Sequence, residues 1–582
     1  MHIRYLLSSL FLALLLLTAA AHPVWARKSK PPAPIPASQI FSNKEPWVEE
    51  TLSRMTLSEK VGQMIVAGIE GQFKSDSDKE YLRLSRLAGE GRIGGIMFLK
   101  GDVLGAAMLA NHFQSLSKVP LLVSSDMERG LAMRLDGATE FSPSMAVAAT
   151  GNPELASRMA KVIASEARAV GIHQNYAPSV DLNTNPSNPV INIRSFGDKI
   201  PLTISISSAI IDGFQSNGLV ATAKHFPGHG DVSVDSHLSL PVLEADRQRL
   251  EEYELKPFKA AIEKGVLSVM IGHLAVPKLT GTFEPASLSK TIVTDLLRKE
   301  LGFRGLIVTD AMNMKALYNG RNLKDISVRA VQAGNDQLLF PIDPELAHDA
   351  VLDAVERGEI PVSQIDDSVR RILHVKLWLG LDRQKMVDLR HMQEQIGSPE
   401  NIQIAESIAE NAITLIRDRN HYLPFRMPMK GAVVNIILQD KPGREKQMGF
   451  ADKLGIDFTA ISLRIDPSSG KSTFQDAKSL VGEARAVILS TDIQTLSVSG
   501  HPTLNERQIE FVRTLPAMVP QGTPIVLLSF GAPYILDGFP EIGTALCTYG
   551  ENEYAQRAAI RVLKGELTPK GTLPVSLAGG RP

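Results

Sequence analysis

Between residues 63 and 340, short apolar runs alternate with amphipathic stretches. The runs are QMIVAG (63–68), GGIMFL (94–99), PLLVSSD (120–126), IHQNYAP (172–178), LVATAKH (219–225), LSVMIGH (267–273), GLIVTD (305–310) and DQLLF (336–340). Runs that are apolar throughout predict parallel strands covered on both faces. Helical spacing fills most of the gaps, as in PELASRMAKVIASEARAV (153–170) and EEYELKPFKAAIEKG (251–265). Eight such units in succession predict an α/β fold, a (β/α)8 TIM-like barrel; a doubly wound open sheet shares the same alternation. The polar residues favour the barrel. Asp126, His225, His273 and Asp310 each stand at or just past the end of a different run, and only a closed barrel brings such ends to one face. Upstream, Thr56 and Glu59 have capping-box spacing before an apolar-periodic stretch.

The helical pattern IDDSVRRILHVKLWLGL (365–381) closes this unit, predicted to span 45–385, and a polar connector covers 386–400. A second α/β pattern then runs through 401–582. Helical IQIAESIAENAITLI precedes the candidate strands GAVVNIIL, RAVILST, PIVLLSF and GTALCTY, with helical LNERQIEFVRTLP and NEYAQRAAIRVLKG among them. This predicts a smaller three-layer α/β sandwich domain.

The N-terminus changes the picture. His2 and Arg4 precede the apolar run Leu6–Ala21, followed by small residues and a basic, Pro-rich stretch. This reads as a signal peptide over 1–26, with cleavage after Ala21 or Ala26, then a Pro-rich linker over 27–44. The expected location is periplasmic or secreted. No other apolar run is long enough to span a bilayer, so stable membrane insertion after signal removal is not expected. Hydrophobic residues make up 44% and charged residues 21%, with net charge −1; a folded protein without the basic footprint of nucleic-acid binding is implied. The single cysteine, Cys547, leaves no intramolecular disulfide and no Cys-rich zinc site.

The most concentrated chemistry is KHFPGHGDVSVDSH (224–237), with His225, His229 and His237 interleaved with Asp231 and Asp235. As a metal site it is poor: His spacings of four and eight are broken by Pro227, Gly228 and Gly230, so no helix face is shared. No metal or other cofactor is expected. As an acid–base device, Asp235 and His237 at i and i+2 in an extended segment point the same way, and a carboxylate orients and polarises an imidazole. A solvated polar loop has the same composition. Asp310 ends an apolar strand and is followed by Met312 and Met314; it suits either a buried nucleophile or a helix N-cap. Asp126 and Arg134, in SSDMERGLAMRL, could grip vicinal hydroxyls or pair with each other. Arg194, in NPVINIRSFG, is a further donor on a loop above the fourth strand.

At these residues the chain resembles glycoside hydrolase family 3, in its bacterial β-N-acetylglucosaminidase branch. KHFPGHG followed by DSH is the branch signature. SSDMERGLAMR resembles the Asp-x-Glu-Gly-Gly-x-x-x-Arg segment, NPVINIRSFG the Asn-Pro-x-x-x-x-Arg-Ser-Phe segment, and VTDAM the nucleophile segment. The likeness is strong over 45–382 and extends through NAITLIRD and GTLPVSL of the second domain. It implies retaining, two-step hydrolysis. Asp310 would attack the anomeric carbon, and His237, oriented by Asp235, would serve as acid and then base, where the general glycosidase scheme uses two carboxylates. It also implies that Asp126, Arg134, Arg194, Lys224 and His225 hold the sugar, with His273 at the same rim. The Asp235–His237 loop would close over the site and reopen, with His229 supporting it. Implied substrates are oligosaccharides carrying terminal N-acetylglucosamine, from peptidoglycan (muropeptides) or chitin. One departure is Arg129, where the family carries Gly: it could narrow the site, contact an acidic aglycone or point outward. A family 3 β-glucosidase, a phosphorylase using phosphate in place of water, and a non-catalytic glycan-binding protein are the competing readings. The second domain could complete the substrate cleft, bind glycan or mediate assembly.

Overall fold

The computed structural model describes residues 37–425, 431–442, 449–493 and 504–577. The signal-peptide expectation for residues 1–26 therefore lies outside the described residues. Eight parallel strands follow the eight apolar runs: β1 Ile65–Gly71, β2 Gly95–Asp102, β3 Leu122–Ser125, β4 Gln174–Asn175, β5 Val220–Phe226, β6 Ser268–Ile271, β7 Leu306–Thr309 and β8 Leu338–Leu339. Each pairs with the next from β1 to β7. β8 pairs with β1, and a parallel bridge between Val308 and Gln337 joins β7 to the start of β8. The sheet thus closes on itself, which excludes the open doubly wound alternative.

Strand residues divide by face, as the pleat requires. Val66, Met97, Tyr176, Met270, Val308 and Leu339 form a cluster of their own inside the barrel. Below it, Gln174 donates to Thr222 Oγ1 and Ser268 Oγ, at 3.3 and 3.2 Å, tying β4, β5 and β6 together by a polar layer. The opposite faces pack against the helices in the large outer core. The first barrel helix, Leu57–Gln63, carries the Thr56/Glu59 capping box.

The second sheet has the order β9–β14–β13–β12–β10–β11. Its strands are β9 Thr414–Asp418, β10 Val433–Gln439, β11 Ala460–Ile465, β12 Ala486–Asp492, β13 Ile525–Ser529 and β14 Thr544–Cys547. Only the β9–β14 pair is antiparallel. The four strands predicted from apolar runs are the central ones. Of the two edge strands, β11 went unpredicted, and the helical reading of 402–416 ran over the start of β9, since the helix ends at Ala412; both strands are only partly covered, so their composition is mixed.

The described residues form one compact unit. The connector is hooked to the barrel by reciprocal bonds between the Asn111 side chain and the Val387 backbone, 2.8 and 2.9 Å. Buried Glu166, on the helix Pro153–Ala169, gathers Thr139, Gly397 and Asn401. Its oxygens accept from Thr139 N–H (3.1 Å) and Oγ1 (2.6 Å), Gly397 N–H (2.9 Å) and Asn401 Nδ2 (3.0 Å). One carboxylate therefore joins the barrel, the connector and the helix Pro399–Ala412 that leads into the second sheet. Glu166→Gln places an amide donor among these donors. It is expected to destabilise the fold by about 2 kcal/mol or more in chemical denaturation; an unchanged midpoint would show that the carboxylate does not hold this junction.

Candidate active site

A cavity of about 390 Å³ opens at the C-terminal ends of the barrel strands. Its floor is the interior cluster: Met97, Tyr176, Met270 and Leu339, with Phe340 and Met314 beside them. Its wall carries Asp126, Arg134, Arg194, Lys224, His225, Asp235, His237 and Asp310. An apolar base with convergent polar groups is the usual make-up of a small-molecule site.

One side of the wall is a dense charge network. Lys224, at the end of β5, is almost wholly buried and places Nζ 2.7 Å from both Asp126 Oδ1 and Glu128 Oε1. Arg134 Nη2 meets Asp126 Oδ2 at 3.0 Å, and its Nε donates to the Asp126 carbonyl at 2.9 Å. Arg194 grips Glu128 with Nε (3.0 and 3.1 Å) and Nη2 (2.6 Å). Burial alone would raise the Glu128 pKa; the Arg194 and Lys224 charges outweigh it and hold the carboxyl well below the usual range. Next to them, His225 Nδ1 lies 2.7 Å from Asp181 Oδ2, and Arg194 Nη2 lies 3.4 Å from His225 Nε2.

Asp310 follows β7. It caps no helix: the next α-helix, Leu323–Ala333, has Asn322 as its cap. Its Oδ1 accepts the Ala311 N–H at 2.7 Å. Burial would raise its pKa, but the imidazoles of His225 and His273 and the Ala311 amide outweigh that and bring it to about 2. Asp310 is therefore ionised across the neutral range.

The opposite wall is the turn-rich segment after β5. His237 Nδ1 lies 2.7 Å from Asp235 Oδ1, and the His237 N–H donates to the same oxygen at 2.8 Å. Asp235 is buried and the His237 ring half exposed. The bond to Asp235 raises the His237 pKa, against a smaller opposing effect of burial. Burial pushes Asp235 up, and its bonds to His237 more than reverse this, leaving it low. Among the described residues His237 Nε2 has no protein partner. His229 supports the same segment: its N–H donates to Asp181 at 2.7 Å and its Nε2 lies 3.3 Å from Ser236 Oγ. Burial lowers the His229 pKa to about 4.

The structure gathers eight of the nine site residues expected from sequence around one cavity. The ninth is a correction. His273 is fully buried and off the cavity lining, with Nδ1 2.7 Å from Ser287 Oγ and Nε2 3.2 Å from the Ala311 carbonyl. It braces the backbone next to Asp310 from behind and does not reach the rim. Arg129 also leaves the cavity alone; Nη1 pairs with Glu140 at 2.9 Å, which is the outward-pointing alternative. The ion-pair reading of Asp126 and Arg134 holds, and both still line the cavity. Glu128 and Asp181 went unpredicted. Glu128 had two signals, its place two residues after Asp126 and its match to the Glu of the quoted Asp-x-Glu segment; Asp181 had none. Among the described residues no group of three His, Cys, Asp or Glu side chains is arranged to hold a metal ion.

Residues 56–375 match the family model "Glycosyl hydrolase family 3 N terminal domain". A Cellulomonas fimi protein named beta-N-acetylglucosaminidase/beta-glucosidase is 30% identical over 92% of this chain and 96% of its own. Among solved structures, a glycoside hydrolase family 3 beta-N-acetylglucosaminidase from Paenibacillus sp. str. FPU-7 is 32% identical, with TM-score 0.78, covering 90% of this chain and 99% of that one. A structure titled "Beta-glucoside phosphorylase BglX bound to 2FGlc" is 26% identical, with TM-score 0.82, covering 94% and 98%.

The site geometry predicts a histidine titration. By NMR of the ring protons, His237 should protonate above the ordinary value of about 6.5 and His229 only near pH 4. Asp235→Asn removes the anion that stabilises the imidazolium, so the His237 pKa should fall. An unmoved His237 in that variant would mean that the pair does not form in solution.

Proposed function

This chain belongs to glycosyl hydrolase family 3, and from that premise we propose that it is a retaining β-N-acetylhexosaminidase, releasing terminal β-N-acetylglucosamine from oligosaccharides. One observation carries the mechanism: the Asp235–His237 pair and ionised Asp310 face the same cavity. In the first step an Asp310 carboxylate oxygen bonds to the anomeric carbon as the bond to the aglycone oxygen breaks. The proton on His237 Nε2 passes to that oxygen. In the second step neutral His237 takes a proton from water, whose oxygen attacks the anomeric carbon and releases Asp310. Two displacements at one carbon return the original anomeric configuration. Asp126, Arg134, Arg194, Lys224 and His225 would hold the sugar hydroxyls. The opposed pKa shifts suit the division of labour, because the nucleophile stays ionised while Asp235 favours the protonated form of the acid.

The proposed natural substrates are muropeptides or chitin-type oligosaccharides met in the periplasm or outside the cell, a reading that rests on residues 1–26. A second reading, phosphate as acceptor, is favoured by the phosphorylase among the similar structures. A neutral imidazole base does not repel phosphate as a carboxylate would.

The deciding assay compares chromogenic β-N-acetylglucosaminide and β-glucoside, since the name of the Cellulomonas fimi protein carries both activities. The acetamido sugar should be preferred, and Asp310→Ala should lose about 1,000-fold or more in kcat. Preference for the glucoside would overturn the assignment. In phosphate buffer, free sugar supports hydrolysis and sugar 1-phosphate supports the second reading. The pH profile is a separate check. kcat/KM should fall only as pH rises through the raised His237 pKa, and its acid limb should lie far below neutrality because Asp310 titrates near 2. Asp235→Asn should move the alkaline limb to lower pH.

A further inference from the structure

Arg194 is the one cation of the charge network that stands on neither a strand end nor its adjoining turn. It sits in the 3-10 turn Asn192–Arg194, within the long irregular connection between β4 and the helix Ile200–Gln215. A guanidinium on such a segment is only as well placed as its backbone. Here the backbone is held by the second-sheet region at three points. Buried Asn183 accepts the Asn192 N–H on Oδ1 at 3.1 Å and donates through Nδ2 to the Tyr534 hydroxyl at 2.6 Å. Ile193, next to Arg194, is buried in the core of the second sheet with Leu536, Ile542 and Tyr549. Downstream, the segment after the last helix grips 198–199. The Asp198 N–H donates to the Pro574 carbonyl (3.3 Å), Lys199 Nζ to the Leu573 carbonyl (2.7 Å), and the Ser576 N–H to Asp198 Oδ2 (2.7 Å). Gly197 permits this approach: φ is +120°, and a Cβ there would lie 2.2 Å from the Pro574 oxygen.

We propose that the second-sheet region is a scaffold that positions Arg194, and that Tyr534 is a positioning residue for the sugar site although it lines none of it. This rests on the reading that Arg194 holds substrate. The loop carrying Arg194 is clamped at its start, beside the arginine and at its end, and all three clamps come from outside the barrel. Losing one clamp lets the guanidinium drift from its place against Glu128 and the sugar, and displacements of about 1 Å cost up to about 100-fold.

The test is Tyr534→Phe in the full chain, which removes one hydroxyl and keeps the ring. Hydrogen exchange followed by mass spectrometry should show faster exchange confined to residues 190–197, whatever the enzyme's substrate. On the chromogenic β-N-acetylglucosaminide, KM should rise about five-fold with kcat within about two-fold. In an Arg194→Ala background the same substitution should add nothing, because the group it positions is gone. Unchanged exchange over 190–197 overturns the scaffold. Faster exchange with wild-type KM, or a KM effect that persists undiminished without Arg194, overturns Tyr534 as a positioning residue. An inactive wild-type enzyme sinks the functional reading instead, and the exchange result still decides the clamp.

Discussion

Lys224 lies between two carboxylates at 2.7 Å from each, and the site's geometry depends on that contact. A buried ammonium costs several kcal/mol unless it is paired, and a buried carboxylate costs a similar amount. Asp126 and Glu128 offset the lysine; Arg134 and Arg194 offset the carboxylates in turn. Removing either carboxylate strands a cation, Arg134 without Asp126 or Arg194 without Glu128. The network therefore fixes, relative to one another, the end of β3, the end of β5 and the loop after β4. A wall held this way is preorganised, so its dipoles need little rearrangement when a polar ligand arrives.

Across the cavity the same physics is used for contrast. Asp310 and His237 share one pocket but are pushed in opposite directions. Asp310 has imidazoles and a backbone amide beside it, so its anion is favoured despite burial. His237 has a buried carboxylate on Nδ1, so its cation is favoured and Nε2 is left open. His229, eight residues earlier in the chain, is buried against Ser236 and stays neutral. Three histidines of one short segment thus differ through their neighbours alone. His225 orients against Asp181, His229 braces the turn, and His237 faces the cavity.

The second sheet meets the barrel through polar anchors and a shared core. Glu166 and Asn111 secure the connector, while Met145, Ala146 and Ile193 of the barrel side enter the second core. Burying a side chain such as Ile193 contributes about 1.5–3 kcal/mol, enough to hold a short turn in one place. The loops that border the cavity are thereby supported from two sides.

Local periodicity and strand-end chemistry were legible in the chain alone. All eight barrel strands and the four central strands of the second sheet coincide with these runs, because strands covered on both faces are built mostly of apolar residues; Gln174–Asn175 is the polar exception, and Gln174 is hydrogen-bonded inside the barrel. The half-covered edge strands Thr414–Asp418 and Ala460–Ile465 left no such trace. Asp126, His225 and Asp310 stood out as polar groups ending apolar runs, and Asp235 and His237 as a local pair. What the tertiary structure alone decided was closure, partnership and direction. Closure of the barrel rests on contacts between residues as distant as Ile65 and Leu338. Asp181 matters because it meets His225 across 44 positions, and Glu128 because it meets Arg194 across 66. His273 looked like the other strand-end residues, yet its side chain turns behind the wall. Spacing along a chain determines which residues share a face of one element. Which faces then meet, and which strand-end groups look into the cavity, follows only from packing the elements together.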